Sequence, residues 1–241
     1  ESGLYRPSAE YLQTISRKTG FTPEFFQKGE LPEFPFGSIL YRAQVSVKQN
    51  PRTRAHAIAH ASFELAIDLS SRLKKIAINI PKLDDDPETC AQIARASLGL
   101  SPNSPIRGLI KALERNGVLI ISLPLDIPGF DGFSAWAGHD PARPVVALLQ
   151  GKTAFREEST VAEEFAHLVM HSPLRTNAVE ADKEARRFAL ELLLPSEAMM
   201  AEMQPPVTLS SLSAMKPRWG VSIAFLAKRA ESLNLITNNQ Y

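Results

Sequence analysis

The residues best placed to do chemistry lie in Ala162-Glu163-Glu164-Phe165-Ala166-His167, followed by Leu168-Val169-Met170-His171. Residues four apart on a helix project from one face, so Glu163 and His167 can share one ion while Glu164, one step round, leans over the same spot. This is the geometry of an HExxH helix, in which two histidines hold zinc and the glutamate between them activates its water. Here Glu163 stands where the first histidine would be. A third ligand normally arrives from a following helix, and residues 180–189 offer two carboxylates, Glu180 and Glu184, either of which could reach in.

The elements that must position these groups can be read from periodicity. Helices are expected at about 157–171 and 179–194, the second ended by Pro195. Before them, Asn116-Gly117 stops a helix begun at Ser104-Pro105, and Val118 to Ile121 follows as a buried strand. Gly132 to Trp136 and Pro144 to Leu149 form a hairpin across the turn-rich Gly138-His139-Asp140-Pro141. Strand Val145 to Leu149 is the expected edge for taking up an extended peptide by strand addition. Asp86-Pro87 starts a helix that Gly99 closes, and Ser222 caps a helix near the end. A long amphipathic helix is expected from Arg52 to about Ile76. Ser8 and Thr22-Pro23 open two short helices before a linker at 29–36, which places a domain boundary near Pro35.

With these motifs in view, the chain resembles the ImmA/IrrE group of bacterial and phage regulatory metallopeptidases. Thr160-Val161-Ala162-Glu163-Glu164-Phe165-Ala166-His167 and His171 stand where that group carries T-x-A-H-E-L-G-H and a further His. Glu184-Ala185-Arg186-Arg187-Phe188-Ala189-Leu190-Glu191-Leu192-Leu193-Leu194-Pro195 resembles its E-A-x-x-F-A-x-x-L-L-x-P helix. Tyr41-Arg42-Ala43, Leu113 to Val118, Asp131 to Ser134, Trp219 to Ser222 and Arg229 to Ile236 extend the likeness. Residues 1–26 resemble the last helices of an XRE-type helix-turn-helix domain, through Glu1-Ser2-Gly3 and Pro7-Ser8. The recognition helix is then expected upstream of Glu1, DNA being reached only through that part, and the chain is expected to be a piece of a longer protein.

The resemblance implies an α+β, mostly helical, zincin-like metallopeptidase domain with a short sheet over 36–241, after a helix-turn-helix remnant and linker over 1–35. It implies Glu164 as general base and His167 and Glu184 as metal ligands, with the remaining position falling on Glu163. A histidine there would leave a zinc site singly positive, whereas Glu163, His167 and Glu184 bring it to neutrality. A less positive centre acidifies bound water less, and an oxygen-rich set shifts preference from Zn²⁺ toward Mn²⁺. Slow or absent peptidase activity is the expectation, and a metal-free site rebuilt around arginines such as Arg156 and Arg187 is one alternative. In another, Thr160-Val161-Ala162-Glu163 is a capping box at the helix start. A third rearranges the ligands to His167, His171 and Glu184.

Composition narrows the rest. Lys and Arg total 27 against 26 Asp and Glu, so no basic surface supports non-specific nucleic-acid binding. Cys90 is the sole cysteine, which excludes a disulfide framework and a Cys-rich zinc module and fits a cytoplasmic setting. No apolar run nears the roughly 20 residues of a membrane span. His56 and His60 have metal-ligand spacing, but Ala57 stands where a catalytic Glu would be, and exposed helix-face histidines are the default. G-x-S-x-G, P-loop and G-x-G-x-x-G patterns are absent. The expected function is regulatory proteolysis of a repressor or antitoxin, or a catalytically impaired derivative acting as sensor or transcription regulator in a stress, phage or mobile-element circuit. Glu163 favours the derivative. The expected partners are a protein or peptide and a second copy of the chain, with no membrane.

Overall fold

The computed structural model describes residues 7–27, 58, 61–64, 76–123, 131–137, 142–151, 153–171 and 178–237. It divides into two units, Glu1–Phe34 and Pro35–Tyr241. In the first, helix α1 (Ala9–Thr19) begins where Ser8 Oγ accepts from Tyr11 N and ends at Gly20, whose φ of 78° suits glycine. The second expected helix is a 3₁₀ turn, Pro23–Gln27, with Phe21 stacked on Phe25 at 4.4 Å.

In the second unit, α2 (Pro87–Ser97) is capped by Asp86, whose side chain accepts from Thr89 N. The next helix, α3 (Leu109–Arg115), is shorter than its Ser104-Pro105 signal predicted. The carbonyls of Ser101 and Ser104 are instead taken by the guanidinium of Arg95, which holds 101–108 in turns until Gly108, at φ 80°, turns the chain into the helix. Of the long helix expected over 52–76, only Ile58 and residues 61–64 are described, and they are helical. His56, His60, Tyr41 to Ala43, Phe130 and His139 lie outside the described residues.

Strands β1 (Leu119–Leu123), β2 (Gly132–Ala137) and β3 (Arg143–Leu149) form a sheet in the order β1-β3-β2. The hairpin is present, β2 antiparallel to β3 with Ser134 opposite Val146, while β1 runs parallel to β3 with Ile120 opposite Val146. This corrects one expectation: Val145 to Leu149 is the central strand, not the edge. Its residues are buried from Val145 to Leu149, as suits a strand flanked on both sides, and among the described strands β2 is the edge nearer the site.

Helix α4 (Ala154–Met170) lies on this sheet, and α5 (Ala178–Leu193) packs on α4 and on α2. Their inward stripes, Val161, Ala162, Phe165, Ala166 and Val169 on one and Ala181, Ala185, Phe188, Ala189 and Leu192 on the other, recur at three- and four-residue steps and are at most 1% exposed. Phe165 and Phe188 meet edge to face at 5.8 Å. Helix α6 (Ser196–Glu202) follows Pro195, and α7 (Leu209–Trp219) and α8 (Ile223–Ser232) close the core through Leu212, Trp219, Leu226 and Ala230. Among the described residues no helix is long and apolar enough to cross a membrane.

Candidate functional site

Helix α4 begins at Ala154 with Thr153 as its N-cap, more than two turns before Glu163. Thr160 and Glu163 therefore sit in the helix interior, where no amide is left over to cap, and the capping-box alternative fails. Glu163 is half-buried on the same helix face as His167, one turn away.

Glu164 points into the protein and is fully buried. Strand β2 meets it there: Ser134 Oγ lies 2.9 Å from Glu164 Oε2 and 2.9 Å from its backbone oxygen. One hydroxyl proton serves one of these acceptors at a time. The approach depends on Gly132, where a Cβ would lie 2.9 Å from Thr160 Cγ2 and 2.8 Å from Ala147 O. A side chain at 132 would push β2 off α4 and off Glu164.

The other groups form a chain across α4 and α5. His167 and His171, buried and one turn apart, bring their Nδ1 atoms to 2.8 Å. His171 Nε2 lies 3.0 Å from Glu184 Oε2. His167 Nε2 lies 3.8 Å from Asp182 Oδ1. Burial pushes the His171 imidazole below its ordinary value, and the bond to Glu184 opposes this only in part. Glu180 is exposed and pairs with Lys183 at 3.2 Å, so of the two carboxylates first considered Glu184 is the one at the site.

Past His167 the C-terminal end of α4 is held by 76–86. Lys82 Nζ and Trp136 Nε1 both donate to Leu168 O, at 2.8 and 3.1 Å, Lys82 lies over the Trp136 ring, and Leu83 N donates to Val169 O. Trp136 is thus a packing and capping residue, and Phe133 packs edge to face on Phe63 at 5.5 Å. Arg156 pairs with Asp131 and Arg187 with Glu88.

Residues 113–231 match the Peptidase_M78 family, described as the IrrE N-terminal-like domain. The chain carries an IrrE N-terminal-like domain. No curated protein matches the chain. The matched stretch runs from the end of α3 into α8 and includes the sheet, both site helices and every residue of the chain from Ser134 to Glu184 described above. The IrrE N-terminal-like family is typically metal-dependent, which makes the donor set the thing to test. Among the described residues no group of three or more His, Cys, Asp or Glu is gathered to hold a metal ion. Glu163, His167 and Glu184 are therefore not assembled: Glu184 is engaged by His171, and the carboxylate facing His167 Nε2 is Asp182. Asp182 Oδ1 is a buried oxygen without a hydrogen-bond partner, the condition a cation would satisfy, so part of the set fits a metal. His167 and Asp182 would help to hold such an ion, and the ion, when bound, would supply Lewis acidity and charge neutralisation to whatever lies against it.

Sequence reasoning missed Asp182 and Ser134. For Asp182 a signal was present: it stands three before Ala185 and seven before Ala189, on their buried face. For Ser134 there was none, because a strand-to-helix contact across 30 residues has no local signature.

Proposed function

We propose that the chain is a regulatory protein of the ImmA/IrrE type whose peptidase-like domain is catalytically impaired and serves as a sensing and protein-interaction module. The observation that carries this reading is the state of Glu164. A general base has to share a water with the metal and substrate, and this one is fully buried with its carboxylate at Ser134. Glu163, at the position where the motif needs a neutral imidazole, adds to the same conclusion by lowering the positive charge available to activate water.

The partner that suits the site is a protein or peptide of the repressor or antitoxin kind, in a stress, phage or mobile-element circuit. Strand β2 supports this, since it is an edge among the described strands and carries Ser134 and Trp136 beside α4. The likeness of the α1 unit to the end of an XRE-type domain ties the reading to transcription.

The competing reading is an active metal-dependent endopeptidase with Glu164 as base, and the pairing of His167 with Asp182 favours it as far as metal is concerned. A proteome-derived peptide library incubated with the chain in Zn²⁺ or Mn²⁺ decides between them. The regulatory reading expects no new peptide termini from the parent, and none from Glu163→His while Glu164 stays enclosed at Ser134. Cleavage by the parent that Glu164→Gln abolishes refutes it.

A further inference from the structure

Arg95 is a buried cation whose hydrogen-bond partners among the described residues are all neutral. It is 2% exposed; its Nε donates to Ser101 O at 3.0 Å, its Nη2 to the carbonyls of Ser101 and Ser104, and its Nη1 to Leu192 O. A guanidinium carries five N–H groups, so one on Nη1 is left over. The buried carboxylate of the same region, Glu191, is paired with Arg229 and also accepts from Gln92 and Ser196. Two buried arginines thus share one buried carboxylate, which leaves one positive charge in excess. Burial pushes the Arg95 guanidinium down to about 10, and Glu191 offsets this only in part.

The uncompensated charge lies in the wall of a cleft of about 310 Å³, between α2, residues 100–103 and the turn from α5 into α6. That volume is at the small end of ligand sites. Leu100, Pro102 and Pro195 give the cleft an apolar side. Gln92 and Asn103 each bring a side-chain amide with one N–H committed, to Glu191 at 3.3 Å and to Glu197 at 2.6 Å, and a second N–H to spare. Spare donors around a single excess positive charge suit an anion of one charge. A phosphate carries a second charge, which Glu191 and Glu197 in the same lining repel, whereas a single charge leaves only the screened, exposed Glu197 to overcome.

We propose that this cleft binds a small organic monocarboxylate with an apolar body, Arg95 Nη1 donating to one carboxylate oxygen, the amides of Gln92 and Asn103 to the other, and the body lying against Leu100, Pro102 and Pro195. The occupant would tie α2 and residues 100–103 to the start of α6. The cleft takes in α5 only at its C-terminal end, through Glu191, whereas Asp182 and Glu184 stand in the first two turns of that helix. Nothing in the inference depends on the state of Glu164, so its failure leaves the regulatory reading untouched.

The test is calorimetric titration of the full chain with 3-methylbutanoate, its neutral amide, leucine and inorganic phosphate. Arg95 also holds the backbone, so the cleft is blocked instead by Ala96→Trp, at an exposed position of α2 in its lining, with the fold checked by circular dichroism. One 3-methylbutanoate per parent chain is expected, with a dissociation constant between about 10 μM and 1 mM. The amide should bind at least about 10-fold more weakly, since it forfeits the charge on the accepting oxygens. Ala96→Trp should abolish binding, and Glu197→Gln should tighten 3-methylbutanoate about twofold by removing a screened like charge. Leucine binding tighter than 3-methylbutanoate and loosened by Glu197→Gln would support the cleft and make its ligand an α-amino acid, with Glu197 taking the ammonium. Neither 3-methylbutanoate nor leucine bound at about 20 mM, an amide as tight as the acid, phosphate bound more tightly than either carboxylate, or binding that survives Ala96→Trp overturns the proposal.

Discussion

Removing Arg229 should expose how the second helix of the site is anchored. Arg229 on α8 is 3% exposed, and its guanidinium pairs with Glu191, itself 2% exposed, near the end of α5. Its Nε donates to Leu194 O at 2.8 Å, while Glu191 also accepts from Gln92 Nε2 and from the backbone and hydroxyl of Ser196. Arg95 adds a donor to Leu192 O, so two arginines from different helices satisfy the carbonyls left over where α5 stops before Pro195. Arg229→Met leaves a buried carboxylate without its countercharge and a carbonyl without its donor. Breaking such a pair from one side costs about 4 kcal/mol. With a urea dependence of about 3 kcal/mol per molar, the unfolding midpoint should fall by about 1.3 M at unchanged slope. Arg229→Met with Glu191→Met removes both charges and should recover roughly half of that loss. The remainder, about 2 kcal/mol, is the carbonyl of Leu194 left without its donor and the amide of Ser196 left without an acceptor. Urea unfolding followed by far-ultraviolet circular dichroism reads both variants. A single-variant loss under about 1 kcal/mol, or a double variant less stable than the single, would show that the pair is not the anchor described.

Ser134→Ala removes the hydroxyl beside a buried carboxylate and should destabilise the fold by about 2 kcal/mol, measured in the same titration; an unchanged midpoint would mean that Glu164 does not depend on it. Gly132→Ala places a Cβ against Ala147 O and Thr160 Cγ2 and should cost about 1 to 3 kcal/mol while loosening β2, seen as faster amide exchange along residues 132–137. Lys82 has its ammonium pushed down to about 8 by burial, from an ordinary 10.5, so between these values the unfolded chain binds more protons and stability rises with pH. The difference between parent and Lys82→Met across that window should carry this slope, and a flat difference would place the ammonium in open solvent.

Much of the fold was legible because its signals are local. Apolar steps at 161, 165 and 169 and at 181, 185, 188 and 192 announced both site helices, and Pro195 announced the end of the second. The hairpin followed from two apolar runs around a turn-rich segment. The start of α3 was not legible, since the donor that unravels Ser104-Pro105 is Arg95, on another helix. Strand order was missed for a related reason: β3 is apolar enough to be central or edge, and only its pairing with β1 decides. At the site, helical spacing brought Glu163, His167 and His171 to one face. Which carboxylate of α5 meets which histidine depends on the rotation of one helix against the other, set by Phe165 on Phe188 and by the alanines between them.

The most direct measurement is anomalous diffraction at the zinc edge from crystals of the chain grown with Zn²⁺. The account predicts Glu184 still on His171, and Glu164 still enclosed at Ser134 with no water against its carboxylate. Zinc held by Glu163, His167 and Glu184, with a water shared between the ion and Glu164, would contradict it and describe a working peptidase.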